Sequence, residues 1–231
     1  MTTTGTYNFN PNLGEIVLYA FNMAGIRTTS ILQEHMESAK MATNMMLARW
    51  SNKGVNLWKV DLVTEPIIAG QSTYNVDPST IMILDAYMSL DNGSGATTDR
   101  IILPVSRGDY ASYPNKSIQG TTTVFWFDRL ISPTITLWPV PDGVSAQFLK
   151  YYRVTRIQDA SLKKAQTVDI PYRWLEAFAD GLAYRLAKIW TPAAAPALAA
   201  VAQESFDVAA EQDTENVPFF VSPMIGGYYR T

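Results

Sequence analysis

His35 is the only histidine in the chain of 231 residues, and there is no cysteine. A Ser-His-Asp triad or a His-based zinc site would have to be built around that one imidazole. It sits beside Met36 in a stretch with helical spacing, so it reads as an ordinary helix-surface or core histidine. Without thiols there is neither a disulfide nor a thiolate metal site. Gly93-Ser94-Gly95 starts like a dinucleotide fingerprint, but Thr98 stands where a glycine is needed and no helical pattern follows. No phosphate-binding loop of the Gly-to-Lys-Ser/Thr type occurs. Acidic residues are present, with no predicted pocket to pair them as a glycosidase needs. Arg107-Gly108-Asp109 matches a cell-adhesion tripeptide in a short loop and is read as a chance match. Asn92-Gly93-Ser94 and Asn115-Lys116-Ser117 match glycosylation acceptors, which act only in a secreted protein. The expectation is no catalytic residue, no cofactor and no metal.

The charge pattern narrows the partners. Net charge is −3, which argues against a globally basic nucleic-acid binder. Lys and Arg number four against three Asp and Glu in residues 1–56, ten against ten in 57–168, and four against eight in 169–231. The acidic excess therefore sits in the last quarter, at Glu204, Asp207, Glu211, Asp213 and Glu215. Only 17% of residues are charged. That fits either a Thr/Asn/Ser-rich surface or a surface covered by partner subunits. The polar start, MTTTGTYNFNPN, lacks the basic-then-apolar order of a signal peptide. No apolar run approaches the ~18 residues of a membrane span, so no membrane partner is expected.

Helical spacing is clearest from Asp169 to Trp190. Pro171 suits a first helical position. Leu175, Phe178, Leu182, Leu186 and Ile189 recur at three and four, which stacks them on one face. Gly181 in mid-helix points to a close backbone approach. A first helix is expected over 13–24, with an Asn12/Glu15 capping box and Gly25 as its stop. A second is expected over 31–53, with a Ser30/Gln33 capping box, a stripe of Leu32, Met36, Ala39, Thr43, Met46 and Trp50, and Gly54 as its stop. Met36, Met41, Met45 and Met46 read as irregular core filling, with an adaptable binding face as the rival reading. A last helix is expected over 192–212, with Leu198, Val201 and Phe206.

From Leu57 the period changes to two. Short strands are expected at Trp58–Leu62, Tyr74–Val76, Ile81–Leu90, Ile101–Val105, Val124–Phe127, Ile135–Trp138 and Phe148–Thr155, separated by Gly, Pro and Asp turns. One helical turn is expected at Ser106–Tyr113. Each helix carries a single apolar stripe and needs a partner. The fold class is therefore α+β: a discontinuous antiparallel helical bundle (N-terminal helix pair plus two C-terminal helices) from residues 1–56 and 169–214, with an inserted antiparallel β-sandwich-like domain over 57–168. Residues 215–231, with Pro218, Pro223, Gly226 and Gly227, form an extended C-terminal tail.

Several stretches taken in order carry a resemblance. They are LGEIVLYAFNMAGI from Leu13, SAKMATNMMLARWSNKGVNLW from Ser38, TYNVDP from Thr73, SRGDYASYPNK from Ser106, ITLWPVPDG from Ile135 and IPYRWLEAFADGLAYRLA from Ile170. The most specific pair is LWPVPDG followed by IPYRWLEAFADGLA. Together they resemble the head-to-tail adaptors of tailed bacteriophages, also called tail accessory factors, head-completion proteins or tail tubular protein A. The resemblance implies a structural virion protein with no catalytic residues, built as a helical bundle plus a β-domain. It further implies assembly as a homo-oligomeric ring of about twelve copies on the portal protein. The ring extends the channel for genomic DNA without sequence-specific binding, retains packaged DNA, and is docked below by a tail or nozzle protein. In this family C-terminal segments reach along the portal. Phe219, Phe220, Tyr228, Tyr229 and Arg230 are then the portal-contacting candidates, with folding back on the subunit's own bundle as the alternative.

A reading from a different class is a monomeric β-sandwich module that binds carbohydrate or a receptor. It would use Trp126, Trp138, Tyr151 and Tyr152 as stacking platforms. Their strand-period alternation favours β-core instead. An enzyme ranks last.

Overall fold

Asn12 opens the first helix. Its side chain accepts the Glu15 N–H at 3.0 Å, and the Glu15 carboxylate accepts the Asn12 N–H at 2.9 Å. This is the reciprocal box that the spacing predicts. α1 (Leu13–Met23) follows and buries Leu13, Ile16, Val17, Ala20 and Phe21. Gly25 then takes φ +82°, where a side chain would be strained. The computed structural model describes residues 3–54, 57–91, 96–144, 146–161 and 166–214.

α2 (Gln33–Lys53) begins two residues later than its periodicity suggests. Thr28–Ser30 form a 3-10 turn and Ile31 is extended, so the Ser30/Gln33 box does not form. His35 substitutes for it. Its Nδ1 accepts the Leu32 N–H at 3.2 Å, which satisfies a backbone donor at the start of the helix. Ala39, Thr43, Met46 and Trp50 are buried as expected, while Leu32 is exposed. Met46 lies inside and Met41 and Met45 outside.

Seven strands follow: β1 (Val60–Pro66), β2 (Thr73–Asn75), β3 (Thr80–Asp91), β4 (Thr97–Pro104), β5 (Val124–Asp128), β6 (Thr134–Trp138) and β7 (Ala146–Thr155). Their spatial order is β1-β7-β3-β4-β5-β6-β2. The sandwich-like expectation is corrected here, because the strands form one curled sheet. Nor is it wholly antiparallel, since β4 and β5 run parallel through Leu103–Val124 and Pro104–Phe125. A tight hairpin would have made that pair antiparallel. Instead the long connection, which includes α3 (Arg107–Ser112), brings the chain back to start β5 in the same direction. Curling lets one sheet bury its own apolar face. Tyr74 near one edge and Met88, Ile102, Phe125, Leu137, Leu149 and Tyr151 from the middle share one core.

Gly143 shows how tightly a turn can press on that sheet's surroundings. It has φ +73°, and a Cβ added there would stand 2.6 Å from the Ala69 Cβ. Neither atom belongs to a flexible chain end. Gly143→Ala therefore meets backbone strain and overlap together, and should cost about 2–4 kcal/mol. A urea midpoint equal to that of the unaltered protein would remove this account.

Asn44 on α2 receives the returning chain: its Oδ1 accepts the Ala160 N–H at 2.8 Å and its Nδ2 donates to the Ala160 carbonyl at 3.0 Å. Asp169 ties the return to the start of the sheet, through Lys59 Nζ at 2.7 Å and Trp58 Nε1 at 3.2 Å. Pro171 lies before a 3-10 turn (Tyr172–Trp174), and α4 (Leu175–Trp190) starts after it, later than Pro171 suggests. α5 (Ala195–Glu211) completes the described chain.

α4 touches α1, α2 and α5. Leu13, Val17 and Phe21 from one end of the chain share an apolar core with Phe178, Leu182, Leu186 and Phe206 from the other. The α4 stripe is buried at Phe178, Leu182 and Leu186, but Ile189 is exposed. Gly181 makes the close approach expected of it, because a Cβ there would lie 2.7 Å from Met46 Sδ.

Asp180 on α4 is a buried acidic group. Burial raises the Asp180 carboxyl above its ordinary value, and its hydrogen bond with Ser205 opposes that shift. A raised folded-state value means that the folded protein holds this proton more tightly than the unfolded chain does. Stability from this group is therefore present below 3.8 and is lost as pH rises through the folded value. Asp180→Asn should raise the urea midpoint at neutral pH and leave it unchanged well below the unfolded carboxyl value. Equal midpoints at both would show that ionised Asp180 is not penalised.

Candidate assembly surfaces

The structure gives the residues first considered for chemistry other work. The His35 ring stacks on Trp190 at 4.1 Å and meets Phe21 edge-on at 5.9 Å. With its Nδ1 engaged at the helix start, it is a structural group. Asp109 of the Arg-Gly-Asp triplet closes a capping box with Ser106 at the start of α3, and those bonds hold its carboxyl below the ordinary value. Among the described residues, no group of three or more His, Cys, Asp or Glu side chains could hold a metal ion. No described helix is long and apolar enough to cross a membrane.

The strand aromatics divide. Tyr151 is buried, and burial pushes its hydroxyl up to about 12. Trp126 and Trp138 are half-buried and already covered from α3 and its exit. Tyr110 stacks on Trp126 at 5.4 Å, and Tyr113 on Trp138 at 4.1 Å. The Trp138 indole N–H also donates to the Asn115 carbonyl at 2.9 Å. These stacked faces hold the α3 region against β5 and β6, and Tyr152 is the one of the four that is exposed. The proposed tail contacts Phe219, Phe220, Tyr228, Tyr229 and Arg230 lie outside the described residues.

Two of the grooves formed by the described residues border α4. The larger, about 770 Å³, runs between residues 8–11, α1 and the start of α4. Phe9, Tyr19 and Tyr172 line it, with Phe9 edge-on to Tyr172 at 6.4 Å. Arg173 at its wall binds Asp213, just beyond α5. The described chain therefore ends beside an aromatic-lined groove.

The smaller groove, about 290 Å³, lies between α2, α4 and α5. Its walls are Met46, Trp50, Phe206 and small α5 alanines, and its cations are Arg49, Lys53, Arg185 and Lys188. No carboxylate lines it. Lys53 Nζ stands 3.7 Å from the centre of the Phe206 ring, and Lys188 Nζ 5.6 Å from that of Tyr184. Among the described residues, Arg49 and Arg185 make no ion pair. Burial, then the neighbouring Arg49 charge, lowers the Arg185 guanidinium from its ordinary value. A guanidinium stays charged all the same, so this groove holds uncompensated positive charge over an apolar floor. Sequence reading missed it. The visible signal is two cation pairs at helical spacing, Arg49/Lys53 and Arg185/Lys188; nothing in the spacing says that the two pairs face one another.

A family model described as SU10 adaptor protein matches residues 31–221. That span includes α2, the whole sheet, α4 and α5. No curated protein matches the chain.

Proposed function

We propose that this chain, which belongs to the SU10 adaptor protein family, is the head-to-tail connector of a tailed phage. Membership makes it a structural phage adaptor that works with other virion proteins, in a family not known for enzymes. The finer reading is a ring of about twelve copies at the portal vertex. The ring docks on the portal protein, extends the DNA channel, retains the packaged genome and offers the attachment site for the tail. One observation carries it: the family match spans 31–221, so it takes in helices from both ends of the chain and the whole sheet between them.

In this reading residues 1–56 and 169–214 act as one helical unit, and 57–168 as a sheet unit inserted into it. Two apolar cores support that division, although the helical core also takes in Ile157 and Ala160 from the end of 57–168. Residues 215–231 are the portal arm, with Phe219, Phe220, Tyr228 and Tyr229 as apolar anchors and Arg230 for a carboxylate. A second reading has one observation in its favour, because Arg173 holds Asp213 at the aromatic-lined groove. The same aromatics could fold back into that groove instead.

Truncation after Glu215 separates the two. As a portal arm, the segment's removal should weaken portal binding at least tenfold, the loss of one anchor or more, with the urea midpoint unchanged. Full portal affinity with a lowered midpoint would make the segment an intramolecular clamp. A full-length protein that stays monomeric alone and with portal would remove the ring reading itself.

A further inference from the structure

α5 has two faces. Phe206, Ala199 and Ala202 point into the helical side and help line the cationic groove. Opposite them, Val201, Glu204, Val208 and Glu211 recur at intervals of three, four and three, which places them in one stripe. Every residue of that stripe is exposed, Val201 at 44% and Val208 at 58%. The two valines lie along one side of the stripe and the two glutamates along the other. The groove of Arg49, Lys53, Arg185 and Lys188 is the converse, apolar at the floor and cationic at the rim.

We infer that the groove between α2, α4 and α5 of one copy receives the Val201–Glu204–Val208–Glu211 stripe of α5 from the next copy. This rests on the ring reading and names the contact that would build it. Stripe and groove lie on different faces of one helix, so the contact is head-to-tail, the kind that closes into a ring rather than a two-fold dimer. Charge complementarity selects this occupant. Among the described residues, neither Arg49 and Arg185 nor Glu204 and Glu211 make an ion pair. A duplex is the poorer fit, since phosphates would leave the Met46–Trp50–Phe206 floor uncovered while valines would cover it. Pairing these cations between copies would also keep them from gripping DNA that has to move through a channel.

Two full-length variants and their mixture test it. Arg49→Glu/Arg185→Glu reverses the groove, and Glu204→Arg/Glu211→Arg reverses the stripe. Each alone should raise the concentration for half-assembly by roughly a hundredfold, read by light scattering under conditions where the unaltered protein assembles. Circular dichroism and the urea midpoint check that each remains folded. An equimolar mixture should assemble again. In alternating order every reversed groove meets a reversed stripe, and every native groove a native stripe. A mixture that stays unassembled overturns the inference, and so does a variant that assembles alone like the unaltered protein. In either case an assembling unaltered protein leaves the ring reading standing; only its own failure to assemble, alone and on portal, removes that reading.

Discussion

Trp174→Ala should cost about 3–5 kcal/mol, within the range for deleting a buried tryptophan. The indole is fully buried. It touches Trp50 from α2 at 5.0 Å, Trp58 ahead of β1 at 5.7 Å and Phe206 from α5 at 5.4 Å. Residues from both ends of the chain, Trp50 and Trp58 from one and Phe206 from the other, therefore meet on one ring. Alanine leaves a cavity that none of them can fill, because Trp50 is itself held by Phe178 and Phe206 and close-packed side chains relax only in part. The indole nitrogen is buried with no hydrogen-bond partner, so Trp174→Phe, which removes that unsatisfied donor, should cost clearly less than alanine. Urea unfolding followed by circular dichroism measures both. A loss under 1 kcal/mol for alanine would mean that these residues do not depend on this ring.

Phe125→Ala should cost about 3–5 kcal/mol as well, but through the other core. Phe125 is 1% exposed and lies with Ile102, Leu137, Leu149 and Tyr151 inside the curled sheet. It also sits at the parallel junction, where it pairs with Pro104 on β4 and Leu137 on β6. The two substitutions together examine the division into a helical and a sheet unit. If the units unfold separately, Trp174→Ala should lower the transition seen by far-ultraviolet helical signal and Phe125→Ala the transition of the sheet. If both substitutions shift a single common transition equally, the chain unfolds as one cooperative body and the division does not hold energetically.

What the sequence determined by itself is mostly local. The Asn12/Glu15 box, the left-handed glycines at 25 and 54 and the α4 stripe through Leu186 depend on neighbours a few residues away. Their physics is complete within one or two turns of chain. The α+β class follows from the change of apolar period, from helical spacing to alternation at Leu57 and back to helical spacing after Asp169. Only tertiary structure decided the rest. Ser30 lost its capping role because the preceding residues form a 3-10 turn, and His35 took that role while resting on Trp190, which is distant in sequence. Trp126 and Trp138 alternate like core residues, yet tyrosines from the α3 region cover them. Strand spacing fits a sandwich and a single curled sheet equally well, since both need one apolar face per strand; the long connection through α3 set β5 parallel to β4. The cationic groove arises because α2 and α4 happen to turn two such pairs toward one another. Charge is written in the sequence, but which charges lack a partner is a property of helices brought together across more than a hundred residues of chain.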